Sequence, residues 1–356
     1  MASNDIIRNG RRFVTDMRLP NEWAVAVSAL LLGVANLVLS GIVVAQSDPE
    51  NGGSGSGEID SLIGARPDGM PESVARALRE IGPRIAGPET VELYAPLHPL
   101  GDEKYEGIAV SRDVRYANHE RTVLDVFARS GNGTDNPVVV FVHGGGFRGG
   151  NKSSPGSPFY DNVMLWAVDH GFVGVNINYR LAPGHTWPSG IEDLTAVIEW
   201  IERNIAFYGG SADRIFLWGH SAGAAHVADY LANGARFGVG AKVAGAILTS
   251  GFYDLGDEVS PWEIYYGSDV GQYAARSSLP GLIDTDVPLM VVDAELDDPI
   301  LFRAEADKLT EARIAAGKVV HRVHLPNHSH LSEVYAIGTE DRSLSEPVKA
   351  FVDKYR

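Results

Sequence analysis

The pentapeptide Gly219-His220-Ser221-Ala222-Gly223 limits what this chain can fold into more than any other stretch. Ahead of it, Arg214-Ile215-Phe216-Leu217-Trp218 is a run of strand-forming residues. Behind it, a helical pattern runs from Ala224 to about Ala232. A serine between two glycines at a strand-to-helix corner implies a turn too tight for a Cβ on either side. Such a corner lifts the hydroxyl above the sheet edge, where a base can reach it. The chain has 40 glycines, so the five residues alone carry little weight. The strand before and the helix after supply it.

A second motif lies upstream. Val138-Val139-Val140-Phe141-Val142 reads as a fully buried parallel strand. It runs straight into His143-Gly144-Gly145-Gly146-Phe147. Three glycines after a buried strand let backbone N–H groups turn toward an incoming carbonyl oxygen, which is the chemistry of an oxyanion hole. The expected donors are the amides of Gly145, Gly146 and Ala222.

These segments resemble the bacterial carboxylesterases of the α/β-hydrolase superfamily, near the hormone-sensitive-lipase-like group. The resemblance covers roughly residues 105–356. It rests on the two glycine motifs, Asn178-Tyr-Arg-Leu-Ala-Pro183, Glu295-Leu-Asp297 and the histidines near 330. The family usually has Asp where this chain has Asn178. The Tyr-Arg-Leu-Ala-Pro run reads as a packing and loop-fixing element. Kynurenine formamidases and feruloyl esterases share the resemblance, which therefore implies the machinery better than the substrate.

A serine hydroxyl needs an imidazole to take its proton, and the imidazole needs an anion to hold its tautomer. In the resembled fold the acid and then the histidine follow the serine. Past a strand at Leu289–Asp293 the chain reads Glu295-Leu296-Asp297-Asp298-Pro299. The family's Glu-x-Asp pattern favours Asp297, and Asp298 before proline is the alternative. After a strand at Val319–Leu325 comes Pro326-Asn327-His328-Ser329-His330. The family's pattern favours His330, with His328 as the alternative. Two close histidines also raise the question of a metal. No carboxylate or cysteine cluster in the sequence completes a ligand set, so no metal and no cofactor is expected. His143, His220 and His226 read as structural, and Phe147, Trp187 and Trp218 as core or pocket wall.

Charge and length bound the remaining choices. The formal net charge of −16 opposes binding to a phosphate backbone, so no nucleic-acid partner is expected. The absence of cysteine excludes disulfides and thiolate chemistry. Ala24 to Ala45 is apolar and uncharged, long enough to cross a bilayer, with arginines before it and acids after it. This predicts a signal peptide or signal anchor within 1–47 and a catalytic domain outside the cytoplasm. Residues 48–58 read as a Gly/Ser linker, 59–104 as a cap-like N-terminal segment with a helix over 71–81, and 105–356 as the catalytic domain.

Strands are expected at 108–116, 122–128, 138–142, 173–177, 214–218, 244–249, 289–293 and 319–325. Helices are expected at 162–170, 191–207, 224–232, 300–316 and 345–354. Alternation of the two implies an α/β class with a mostly parallel sheet covered on both faces, an α/β-hydrolase fold. The resemblance implies a serine esterase acting on a small ester. An amidase or arylformamidase on the same machinery and a catalytically inactive binding protein are the alternatives. One prediction follows from the linker. A chain beginning at Glu58 should be soluble and folded, whereas the full chain should partition to membranes or appear shortened near Ala45. Recovery of uncut full-length protein wholly in the soluble cytosol would contradict the reading of 24–45.

Overall fold

A computed structural model describes residues 69–356, apart from 100, 132 and 241. The predicted anchor and linker, and the first part of the cap-like segment, lie outside the described residues. Eight strands form one sheet: β1 Ile108–Arg115, β2 Val123–Arg129, β3 Asn136–Val142, β4 Val173–Ile177, β5 Gly210–His220, β6 Gly245–Thr249, β7 Leu289–Leu296 and β8 His321–Ser329. Their order is β1-β2-β4-β3-β5-β6-β7-β8. β1 and β2 pair antiparallel, as do β2 and β4, and every later neighbour is parallel.

The helices are α1 Glu72–Ile81, α2 Gly87–Tyr94, α3 Asp161–Asp169, α4 Ser189–Asn204 and α5 Ala222–Asn233. Three short ones follow: α6 Glu263–Tyr266, α7 Tyr273–Arg276 and α8 Leu279–Asp284. α9 Ala304–Ala315, α10 Ser332–Tyr335 and α11 Ser345–Tyr355 complete the set. No helix of the described residues is long and apolar enough to cross a membrane.

The central strands are apolar at successive positions because both sheet faces are covered there, whereas β1 has no buried residue. Val138, Val140 and Val142 point to one side, into an apolar cluster that also holds Leu194 and Ile198 of α4, Val227 of α5 and Leu309 of α9. Val139 and Phe141 point to the other, into a cluster that also holds Met164 of α3, Phe351 of α11 and Val74 and Leu78 of α1. α1 therefore shares the core of the α3 and α11 face. Its Arg79 donates to Asn327 in the segment that carries His330.

Four strands are longer than their sequence signals, β3 by Asn136 and Pro137 at its start. β8 continues to Ser329 because it stays paired with β7 through a register shift, with Leu296 opposite Ser329. β7 extends to Leu296 by the same pairing. β5 begins at Gly210, opposite Asn136 across another shift. Pairing with a neighbour holds these polar residues in the sheet where their own propensity does not.

A buried charge cluster ties β1, β2 and the segment after β3. Asp125 is fully buried; its Oδ1 lies 2.7 Å from Lys152 Nζ and its Oδ2 2.8 Å from Arg112 Nη1. Arg112 also pairs with Asp161 at the start of α3. Lys152 has its other partner, Asp113, at an exposed position. Asp125→Ala strands a buried ammonium, and this should cost about 3–5 kcal/mol, read as a lowered urea midpoint. A loss below about 1 kcal/mol would show that water already serves these charges.

Candidate active site

The corner between β5 and α5 is as tight as its sequence requires. Ser221 has φ 55° and ψ −121°, outside the ordinary regions for a residue with a side chain. A Cβ on Gly223 would stand 2.0 Å from Val142 O, and one on Gly219 would stand 2.5 Å from Ala224 Cα. Neither glycine can be replaced without moving backbone. The Ser221 amide donates to Thr249 O at 2.9 Å, which fixes the corner against the end of β6.

Three of the candidate residues meet there. His330 Nε2 lies 2.8 Å from Ser221 Oγ, and His330 Nδ1 lies 2.8 Å from Asp297 Oδ1. All three side chains are buried. Asp297 Oδ2 accepts from the Ala294 amide at 3.0 Å and lies 2.6 Å from Ser250 Oγ. Burial raises the Asp297 carboxyl, but hydrogen bonding and charge from His330 outweigh it and hold the acid below its usual value. Phe302 stacks on the His330 ring with centroids 4.2 Å apart.

The two alternatives are engaged elsewhere. Asp298 Oδ1 accepts from the amides of Ile300 and Leu301 at 2.9 Å each, capping the turn that leads into α9. His328 is fully buried; its Nδ1 lies 3.1 Å from Ser332 Oγ and its Nε2 3.2 Å from Asp341 Oδ2. Among the described residues, His220, His330 and Glu333 form one cluster close enough to hold a metal ion. His330 is already committed there on both ring nitrogens.

The glycine loop lies against the elbow. A Cβ on Gly144 would meet Ser221 Cβ at 3.1 Å. Gly145, Gly146 and Phe147 all have positive φ, at 133°, 58° and 63°. The Tyr-Arg-Leu-Ala-Pro run braces this loop: Tyr179 Oη donates to His143 O at 2.8 Å, and the Ala182 amide donates to Phe147 O at 2.9 Å. Arg180 is itself anchored by Asp193. Asn178 Oδ1 accepts from the Lys152 amide at 2.7 Å. Phe147 stacks on Tyr265 at 4.4 Å and shares an apolar cluster with Ala222, Phe252, Tyr266 and Phe302. Trp218, by contrast, is buried beneath the sheet and donates its indole N–H to Thr249 Oγ1.

Sequence reasoning missed the aromatic wall from Phe252 to Tyr273 and two polar residues behind the acid. Ser250 directly follows β6 beside Asp297, and Glu333 lies three residues after His330. The available signals were a serine directly after a buried strand and an acid in the first turn after the histidine loop.

Three further histidines are buried and neutral. Burial holds His143 down to about 4, and His220 and His226 down to about 3. Their unfolded value is near 6.5. A depressed folded value means that the unfolded chain binds more protons below about pH 6.5. Their stability contribution is therefore present above that pH and is lost as pH falls toward 3–4. The urea midpoint should drop between about pH 7.5 and about pH 5. His226 packs between Phe147, Tyr179 and Tyr265, and neither ring nitrogen has a partner among the described residues. His226→Phe should make that drop smaller, whatever its packing cost at neutral pH. An unchanged drop would contradict the assignment.

The chain is similar to several known proteins. The BD-FAE family model matches residues 124–237. Esterase LipQ of Mycobacterium tuberculosis is 29% identical over 267 residues, 68% of this chain and 62% of that protein. The probable carboxylic ester hydrolase LipM of the same organism is 31% identical over 246 residues, 66% of this chain and 52% of that protein. The chain thus spans between half and two thirds of the length of these relatives. An esterase from the bacterial hormone-sensitive lipase family superposes with TM-score 0.57 at 22% identity, covering 80% of this chain and 97% of that one. Sheet order, elbow and structural likeness together give this chain the α/β-hydrolase fold, and its sequence is similar to those of bacterial esterases.

Proposed function

We propose that this protein is a serine carboxylic-ester hydrolase that works through an acyl-enzyme. The observation that carries the reading is the hydrogen-bonded chain from Ser221 through His330 to Asp297, set on a strained elbow. Ser221 Oγ attacks the ester carbonyl as His330 Nε2 takes its proton. Asp297 holds the Nδ1–H tautomer and stabilises the imidazolium. The amides of Gly145, Gly146 and Ala222 receive the oxyanion. His330 then protonates the leaving alcohol, and water, activated by the same imidazole, releases the acid. Every proton moved is returned, so the cycle needs no cofactor.

The apolar cluster of Phe147, Phe252, Tyr265, Tyr266 and Phe302 adjoins Ala222 and the His330 ring. It supports an ester with a compact apolar or aromatic group, since such a surface gains from burying carbon and offers few polar partners. The apolar segment 24–45 supports a catalytic domain held at or released from the outer face of a membrane.

The test is a set of kcat/KM values on esters of graded acyl length, each with its matched amide. Ser221→Ala and His330→Ala should each lower kcat by about a thousandfold or more. His328→Ala and Asp298→Asn, whose partners lie elsewhere, should change it by less than about tenfold. Wild-type rates in Ser221→Ala would sink the assignment. Amides turned over as fast as esters would move it to an amidase.

A further inference from the structure

Behind the triad acid lies a second carboxyl that the reaction does not require. Glu333, in the first turn of α10, is wholly buried. Its Oε2 lies 2.9 Å from Ser250 Oγ, and Ser250 Oγ lies 2.6 Å from Asp297 Oδ2. Its Oε1 lies 3.3 Å from His220 Nε2. Among the described residues no lysine or arginine pairs with it.

A count of hydrogens gives these contacts a direction. Ser250 carries one hydroxyl hydrogen but approaches two carboxyls. Asp297 is the anion that His330 needs, so the Ser250 hydrogen belongs to Asp297. The shorter of the two distances agrees. The remaining contact then joins a hydroxyl lone pair to Glu333 Oε2, and it is a bond only if Glu333 supplies the hydrogen. His220 Nε2–H donates to His330 O at 2.7 Å, and it approaches Glu333 on the other oxygen. Oε1 has no hydrogen-bond partner of its own among the described residues, so Oε2, the oxygen within reach of Ser250, is the one placed to carry the hydroxyl.

Resting on the esterase reading, we propose that Glu333 is a positioning residue: its protonated carboxyl donates to Ser250, which commits the Ser250 hydrogen to Asp297. The chain Glu333–Ser250–Asp297–His330 then runs in one direction. The electrostatics agree. Burial, then the charge of Asp297, push the Glu333 carboxyl well above its ordinary value. The groups facing it are Asp297, His330, Asp293 and Tyr253, with His220 neutral. Asp293 is paired with Arg322 and Arg303, so Asp297 is the main charge against Glu333, and an ionised Glu333 would be repelled by it as well as desolvated.

The test compares Glu333→Gln, Glu333→Ala and Ser250→Ala in the full protein. Glutamine keeps the shape, presents its carbonyl to His220 and its N–H to Ser250. Glu333→Gln should therefore keep kcat within about threefold and leave the acidic limb of the pH–rate profile in place. Glu333→Ala should lower kcat by about tenfold or more with KM little changed, and that loss should vanish in a Ser250→Ala background. Infrared difference spectra should show a protonated-carboxyl band in the wild type at neutral pH that Glu333→Gln removes. If Glu333 were a carboxylate, Glu333→Gln would delete a negative charge near His330 and shift the acidic limb to lower pH. That shift, additive losses, or no protonated-carboxyl band would overturn the proposal. Should Glu333→Ala fail to fold, the isosteric variant and the infrared band still decide. An inactive wild type would sink the esterase reading while the band still reports on Glu333.

Discussion

The site depends on a backbone corner with no room in it. β5 must stop, turn and become α5 within Gly219 to Gly223, directly against the end of β3. Val142 O occupies the place a Gly223 side chain would need, and Ala224 occupies that of Gly219. Ser221 is left with a positive φ that a serine adopts only under constraint. The constraint comes from the parallel sheet itself. β3 lies between β4 and β5, so the loop leaving β3 and the corner leaving β5 arrive side by side at the same edge. Gly144 then packs on Ser221 for the same reason that the strands are neighbours.

Around that corner, burial separates groups that are chemically alike. Asp297 and Asp298 are adjacent carboxyls. One is buried with hydrogen bonds from His330 and the Ala294 amide, and the other caps a turn. His330 and His328 are two residues apart. One reaches Ser221, and the other sits with Ser332 and Asp341. Glu333 and Asp297 share Ser250, and the desolvation that makes one neutral is offset in the other by three donors. Chemistry here follows partners and water exclusion more than residue type.

Much of this was legible in the sequence because it is local or follows chain order. The central strands were marked by short apolar runs, since both faces of a parallel sheet are buried. The two glycine motifs announced themselves at strand ends. What stayed hidden depends on contacts distant in sequence. Asp297 could be preferred over Asp298 only by family pattern, because a loop does not show which carboxyl turns inward. Ser250 and Glu333 are 83 residues apart, and nothing local to either points to the other. The helices α6 to α8 have four to six residues each, too short for a periodic pattern to show. Their tyrosines, Tyr265, Tyr266 and Tyr273, were assigned no role in the sequence and join Phe147 and Ala222 in one apolar cluster.

The central claim is that Ser221 is the one nucleophile, activated by its place on the elbow. It is tested most directly by incubating the folded protein with an active-site organophosphonate and mapping the adduct by peptide mass spectrometry. The account predicts a single adduct on the peptide carrying Ser221, formed in step with loss of esterase activity and absent from Ser221→Ala. An adduct on another residue, or full inactivation of Ser221→Ala by the same reagent from an undiminished starting rate, would contradict it.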